Sequence, residues 1–260
     1  MFSDPFGSMN ELMRLLLSAL FVVIAAGVSR WQRADLEQDL LIATVRSFIQ
    51  LILIGYALEL VFDQDNPIFT VTILVLMIWI AGWTSASRAK TLRHARWIGI
   101  TSIGVGTVLT VGILVLLGVF AFVPNDIIPV GGMVVGSAMS TATLVMTRLT
   151  TDFHDQQLLI ESKLALGATG REASLTQFRQ AIRSAMIPVV DTTKTVGLIK
   201  LPGAMTGMIL AGATPLEAVR LQIIVMYMLV GAVTFTGLVA AYLTYRAFFT
   251  NDHQLVKLES

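Results

Sequence analysis

The sequence predicts an all-α protein that crosses a membrane several times. Hydrophobic residues make up 55% of its 260 residues, and the mean hydropathy of +0.77 is far too high for a soluble globular domain of this length. A net charge of only +1 indicates no nucleic-acid surface, and the lack of cysteine removes disulfides and thiolate metal ligands. We therefore expect one transmembrane domain over residues 1–260.

Seven apolar stretches are candidate membrane spans, because about 20 residues of helix, at ~1.5 Å of rise each, cross about 30 Å of hydrocarbon. The first carries Arg14 near one end, where a long side chain reaches the interface, and it lacks the basic flank of a cleaved signal. The third, fourth, fifth and seventh carry no charge. The stretches are residues 12–28, 40–62, 67–87, 98–123, 127–147, 187–212 and 221–245.

Small residues recur every four positions in the fifth and sixth stretches, a spacing that lets helix backbones approach closely in lipid. The sixth also contains Asp191, Lys194 and Lys200, so it is either a continuous span that faces protein or a broken, re-entrant helix. We expect the small residues to pack helices within one chain or between two copies. They are Gly132, Gly136, Pro202, Gly203 and Gly207.

Residues 150–186, between the fifth and sixth stretches, predict two helices joined by a tight turn. In the first helix one face is apolar, and Gly167 follows where a left-handed residue ends a helix. Thr169 and Glu172 have the spacing of a capping box, so the second helix should begin at about Gly170. Pro188 should kink or restart that helix. The expected apolar faces are Leu158, Leu159, Ala165 and Leu166 in the first helix and Leu175, Phe178, Ile182 and Met186 in the second.

The basic residues predict an orientation. The connections after the first, third and fifth stretches, with the C-terminal tail, hold 13 Lys and Arg residues, whereas the N-terminus and the remaining connections hold one, Arg220. Because cytoplasmic loops carry the excess of Lys and Arg, we expect the N-terminus outside and the C-terminus in the cytoplasm. The helix pair at 150–186 then lies on the cytoplasmic side.

Three runs in and after this helix pair carry a resemblance to a known family. They are ESKLALGAT at 161–169, MIP at 186–188 and GLIKLPGAMTGMILAG at 197–212. These runs resemble the FetB family of ABC-transporter permease subunits, which includes bacterial iron exporters and plant half-transporter permeases linked to aluminium tolerance. The first run is also similar to the EAA loop of ABC importer permeases, although Ser162 and Lys163 stand where that motif has alanines.

The resemblance implies a permease subunit in the bacterial inner membrane. The helix pair would be a cytoplasmic coupling elbow, gripped by a separate ATPase subunit that binds ATP and Mg²⁺. The implied assembly is a homodimer of this chain with two ATPases, and the implied activity is export of iron or another metal species. The implied coupling residues are Glu161, Ser162, Lys163, Ala165, Leu166, Gly167, Ala168 and Thr169.

Six polar residues in the second and sixth stretches are candidates to line or gate a translocation pathway. A charge at the bilayer centre costs about 2.5 to 3.5 kcal/mol on insertion scales unless protein or water surrounds it. Arg46 and Gln50 share a helix face, and Asp191 and Lys194 are spaced to pair. The alternative is an interfacial position near the ends of the spans. The six are Arg46, Gln50, Glu59, Asp191, Lys194 and Lys200.

Several other functions lack their motifs in this sequence. The nearest approach to a P-loop, Gly131 to Ser137, has Ser137 where the phosphate-binding lysine belongs, so energy must come from a partner or an ion gradient. There is no H-E-x-x-H motif and no intramembrane histidine for an enzyme, and we expect no metal site and no cofactor bound by this chain. An ion-coupled secondary transporter is the alternative function, although its common inverted repeats are not evident.

Overall fold

The computed structural model describes residues 9–32, 37–62, 67–250 and 254–255. Within these ranges the chain forms nine α-helices and no β-strand. Residues 1–8 and 256–260, which contain the two termini, lie outside the described ranges. The helices are α1 (Met9–Trp31), α2 (Glu37–Phe62), α3 (Pro67–Arg88), α4 (Ala95–Leu116), α5 (Pro124–Asp155), α6 (Gln157–Ala165), α7 (Gly170–Thr195), α8 (Gly203–Leu210) and α9 (Pro215–Phe248).

The chain divides into two compact units, Met1–Asp65 and Asn66–Ser260. In the first unit, α1 and α2 pack against each other, and the Ser29 hydroxyl donates to a Glu37 carboxylate oxygen at 3.4 Å. The apolar part of α2 is long enough to cross a membrane, yet none of its most apolar segment is buried. Two packed helices cannot enclose a hydrophobic core by themselves, so the apolar side chains of α2 remain exposed in this unit.

In the second unit, α4 and α5 pack against each other and against both α3 and α9. Helix α7 lies on α5 and α9, and α8 lies on α9. Buried side chains form three clusters along this bundle. The base cluster includes Ala86, Ala95, Phe153, Ala173 and Phe248; the middle cluster includes Ile103, Val145 and Ala185; and the top cluster includes Val111, Ile127 and Met228.

The base cluster fixes the direction of the helices. It collects the C-terminal ends of α3, α5 and α9 and the N-terminal ends of α4 and α7. Its centre is Phe153, whose ring stacks on Phe248 with centroids 4.7 Å apart and meets Phe249 edge-on at 5.7 Å. Aromatic pairs in these arrangements contribute about 0.5 to 1.5 kcal/mol beyond the area they bury. The end of α9 is therefore fastened to the region from which α6 and α7 start.

Glycine sets the close crossing of α3 and α4. A Cβ on Gly82 would lie 2.7 Å from the Ile100 nitrogen and 2.8 Å from its Cα, and a Cβ on Gly99 would lie 2.9 Å from the Gly82 carbonyl oxygen. Elsewhere Gly106 lies against Thr236 and Gly131 against Leu74. Small residues at crossings of this kind let backbones meet where larger side chains would hold them apart.

Five of the helices are long and apolar enough to cross a membrane: α3, α4, α5, α9 and the 37–59 part of α2. They correspond to the predicted second, third, fourth, fifth and seventh spans. The apolar part of α1, Leu17–Trp31, is shorter, so the count of seven spans stays a prediction. The sixth stretch, 187–212, is broken: α7 ends at Thr195, an irregular segment follows, and α8 is only eight residues long.

Several expected helix ends are wrong. Helix α4 stops at Leu116 rather than residue 123, because Gly118 adopts a φ of 68° and the chain leaves the helix there. Pro124 lies in the first turn of α5, not in a connecting turn. A capping box of Thr214 and Glu217 starts α9 at Pro215 rather than residue 221. Helix α7 runs through Pro188, so the expected fresh start at this residue is wrong, whereas the expected kink stays a prediction.

Candidate functional site

The turn between α6 and α7 is capped by backbone hydrogen bonds. Residues 150–155 of the expected elbow continue α5, so from here the elbow means α6, this turn and the first half of α7. Gly167 has a φ of 91°. The Gly167 N–H donates to the Leu164 carbonyl at 3.0 Å, and the Ala168 N–H donates to the Lys163 carbonyl at 3.1 Å. This pair of bonds is the Schellman motif, which satisfies carbonyls that a helix end leaves open. The predicted stop at Gly167 is confirmed.

The start of α7 is capped reciprocally. The Glu172 N–H donates to the Thr169 hydroxyl oxygen at 3.3 Å, and the Thr169 N–H donates to a Glu172 carboxylate oxygen at 2.9 Å. Helix α7 begins at Gly170, as the spacing predicted. The end of α6 and the start of α7, with four residues between them, are therefore both capped by local hydrogen bonds. These bonds make the turn a rigid corner.

The elbow is anchored to the base cluster by a few contacts. Ile160 of α6 is fully buried there. The Gln177 amide of α7 donates to the Gln156 side-chain oxygen at 2.7 Å, and the Lys163 ammonium donates to the Ala173 carbonyl at 3.3 Å. These bonds tie the two arms of the elbow together behind the turn.

The buried face of α7 differs from the expected one. Its buried residues are small or polar, whereas the expected stripe of larger apolar residues is only half-buried beside them. At the start of this face the reason is steric: Gly170 lies so close to Phe249 that a Cβ would be 2.8 Å from the ring, so no larger side chain fits there. The buried residues are Gly170, Ala173, Ser174, Gln177, Ala181 and Ala185.

The apolar face of α6 points away from the chain. Leu158 is 80% exposed, Leu159 50% and Leu166 88%, although the sequence pattern suggested a packing face. Glu161 lies on the same exposed surface, where it accepts from the Gln157 amide at 2.8 Å. Three leucines next to a carboxylate on a rigid corner form a surface suited to another protein.

The predicted coupling residues all lie in α6 and the turn. Lys163 and Ala168 are half-buried, and the others are exposed. The sequence-based set omitted Leu158 and Leu159, whose exposure no local pattern reveals. The exposed members are Glu161, Ser162, Ala165, Leu166, Gly167 and Thr169.

The predicted pathway residues are dispersed. Arg46, Gln50 and Glu59 lie on exposed positions of α2. Asp191 and Lys194 are exposed in the last turns of α7 without an ion pair between them, and exposed Lys200 lies in the irregular segment before α8. The described residues of the second unit do not bring these last three charges into a single closed site.

The predicted packing glycines mostly face open space. Gly132 approaches the Met77 methyl, which would be 3.2 Å from a Cβ. Gly136, Gly203 and Gly207 have no neighbour within 4 Å of a Cβ position, and Pro202 caps α8. The closest helix crossings of the second unit use other glycines, so a packing role for these three within this chain stays a prediction. Contact with a second copy stays a prediction.

Two cavities flank the broken stretch, and the sequence indicated neither. One of about 400 Å³ between α5, α7 and α9 has hydroxyl groups from Ser137, Ser140 and Thr192 along its wall. The other, about 460 Å³, lies between α7, α8 and α9 beside Gln222, whose side-chain oxygen is buried without a partner. Among the described residues, no three His, Cys, Asp or Glu side chains gather as a metal site.

The chain is similar to a protein family and to several known proteins. Residues 12–249 match the uncharacterised protein family UPF0014. The chain is 44% identical to Protein ALUMINUM SENSITIVE 3 of Arabidopsis thaliana over 92% of this chain and 88% of that one. It is 44% identical to UPF0014 membrane protein STAR2 of Oryza sativa subsp. japonica, over 90% and 82% of the two chains.

A bacterial relative is the protein named "Probable iron export permease protein FetB" of Escherichia coli strain K12, which is 38% identical over 93% of each chain. No solved structure matches this chain. The matches cover α1 to α9 and confirm the resemblance to FetB. The chain therefore belongs to the UPF0014 family of membrane proteins.

Proposed function

We propose that this chain is the permease subunit of an ATP-binding cassette transporter, and not an enzyme. Two copies form the pathway, and each elbow docks into a separate ATPase subunit that binds ATP and Mg²⁺. The cargo is iron or another metal species and the direction is export, a proposal supported by the name of the Escherichia coli relative. The assembly lies in the bacterial inner membrane.

The observation that carries this proposal is the exposed apolar corner at Leu158, Leu159 and Leu166. A flexible loop would lose ordering entropy on docking, but this corner is already fixed by its caps and by Ile160. Burying one exposed leucine contributes about 1.5 to 3 kcal/mol, so a few such side chains supply a useful part of a protein contact. A rigid corner also transmits a movement of the ATPase to the membrane helices without changing its own conformation.

The position of the elbow in the fold supports a cytoplasmic face. The base end of the second unit carries the elbow and also the α3–α4 connection. That connection and the helix ends beside it hold four basic residues and no acidic one, as cytoplasmic loops do. With α5 and α9 as spans that end at the base, the end of α9 is cytoplasmic. The proposed outside position of the N-terminus further requires that α1 and α2 each cross the membrane. The basic residues are Arg88, Lys90, Arg93 and Arg96.

In this proposal the ATPase is a separate subunit, because the chain has no phosphate-binding loop of its own. The glycines nearest to that pattern lie inside α5, where Gly131 packs against Leu74. Backbone N–H groups in a helix are already bonded and cannot cradle phosphate. Nucleotide energy therefore reaches the transporter through another subunit.

The pathway is assembled between copies in this proposal. Charged side chains on long apolar helices are costly to leave against lipid, at about 2.5 to 3.5 kcal/mol each near the centre. Arg46 and Glu59 of α2 and Asp191 of α7 are exposed on one chain, so a second copy or water must surround them. The open faces of Gly136 and Gly207 are suited to close contact between copies.

The test is co-expression of this chain with a candidate ATP-binding cassette ATPase, followed by co-purification and proteoliposome transport of Fe²⁺ with ATP. Leu166→Asp should abolish co-purification and ATP-driven transport while the chain still inserts. Gln32→Asp adds the same charge at an exposed position outside the elbow and should leave both intact. Fe²⁺ movement driven by an ion gradient, without ATPase, would instead identify a secondary transporter.

A further inference from the structure

A cavity of about 490 Å³ lies at the junction of α3 and α4, away from the elbow turn. Its wall combines two cations, Lys90 and Arg96, with two indole rings, Trp83 and Trp97. The Arg96 guanidinium lies over the Trp83 ring, 4.1 Å from its centroid. Such a cation–π contact holds the guanidinium in place at the wall of the cavity.

The cations of this cavity have no carboxylate partner. The sequence contains no Asp or Glu from Pro67 to Asn125, a segment that holds α3, α4 and their connection. Among the described residues, neither Lys90 nor Arg96 forms an ion pair. Two unneutralised cations on one cavity wall attract an anion, and their N–H groups would bond its oxygens.

The depth of the cavity relative to the membrane indicates which kind of anion it binds. Helix α3 has no charge from Pro67 to Ser87, and α4 has none from Trp97 to Leu116, so the charges begin where these apolar spans meet water. Trp79, Trp83 and Trp97 are all exposed at this level, as tryptophans at a membrane interface are. The head groups of phospholipids lie at the same depth.

The backbone supports the same ligand. His94 turns the chain with a φ of 63°, and no side chain caps the first turn of α4 behind it. The Ala95 N–H donates to the Leu92 carbonyl at 3.3 Å, and the next two residues of this turn, Arg96 and Trp97, line the cavity. The first N–H groups of a helix favour a phosphate.

We propose that this cavity binds the phosphate of an anionic phospholipid, with Lys90 and Arg96 on the phosphate oxygens and the indoles against the glycerol and first acyl carbons. The bound lipid stiffens the α3–α4 junction, which is part of the base cluster through Leu92.

Native mass spectrometry tests the proposal. The full chain is released from micelles doped with phosphatidylglycerol or phosphatidylcholine, after a wash in ~0.5 M salt that screens diffuse attraction. We expect a retained phosphatidylglycerol and no retained phosphatidylcholine. Lys90→Gln and Arg96→Gln should each weaken retention about tenfold, the low end for a charge-assisted hydrogen bond. Arg96→Lys, which keeps the charge, should weaken it less.

The matched control is Arg88→Gln with Arg93→Gln, which removes two charges from the end of α3 and the α3–α4 connection, both outside the cavity wall. It should leave retention unchanged. If the control lost as much phosphatidylglycerol as the cavity variants, the effect would be one of diffuse charge and the proposal would be overturned. Unchanged retention in the Lys90→Gln variant would also overturn it, because this exposed side chain is not needed for folding. Displacement of phosphatidylglycerol by equimolar inorganic phosphate would identify a free phosphate site instead.

Discussion

Replacing Ile160 by alanine should destabilise the second unit, whereas replacing Leu158 on the same helix should not. Ile160 is fully buried in the base cluster, and Leu158 is 80% exposed. Removing a buried isoleucine side chain loses about 0.8 kcal/mol per methylene-sized group and adds a cavity, for a total of about 2 to 5 kcal/mol. An exposed Leu→Ala substitution usually changes stability by less than about 0.5 kcal/mol.

The measurement is unfolding of purified protein in mixed micelles with increasing SDS, followed by tryptophan fluorescence. We expect Ile160→Ala to lower the free energy of unfolding and Leu158→Ala to leave it unchanged. For binding to the proposed ATPase we expect the larger effect from Leu158→Ala, because this variant removes part of the docking surface. The affinity of the Leu158→Ala variant for the ATPase should fall by about 1 to 2 kcal/mol, or five- to thirtyfold.

Thiol labelling checks the same geometry without unfolding. The chain has no cysteine, so a single introduced thiol is the only reactive one. Leu158→Cys should react with a maleimide at the rate of an exposed thiol, and Ile160→Cys at least about a hundredfold more slowly, since it reacts only when the elbow opens. Equal rates, or greater destabilisation by Leu158→Ala, would refute the assigned orientation of α6.

Three further predictions concern other contacts. Thr169→Ala should lower stability by about 1 kcal/mol in thermal unfolding, because Glu172 loses its capping partner; Glu172→Gln, which can still cap, should cost less. Gly82→Ala should cost about 1 to 3 kcal/mol by the same assay, because its Cβ would overlap the α4 backbone, whereas Gly136→Ala meets open space; a neutral Gly82→Ala would contradict the close crossing. Asp191→Asn should leave unfolding unchanged and reduce Fe²⁺ transport at least about tenfold; unaltered transport would remove this residue from the proposed pathway.

Much of the fold was predictable because its signals are local. The stop at Gly167 and the capping box of Thr169 and Glu172 involve residues at most five positions apart, and both occur as predicted. The spans that became α3 and the 37–59 part of α2 follow from long runs of apolar residues. Helix α7 shows the limit of such signals, since it continues through Pro188, which lacks a backbone donor, and packs on α5 and α9.

The sequence by itself determined that the chain is helical and apolar and where the elbow turns, since caps and apolar runs are satisfied within a few residues. Only the tertiary structure decided which faces are buried. Ile160 rather than Leu158 enters the base cluster, and Gly170 rather than the Leu175 stripe meets Phe249. A local pattern marks several apolar positions as able to be buried, and the close-packed fit between neighbouring side chains decides which of them enters the core.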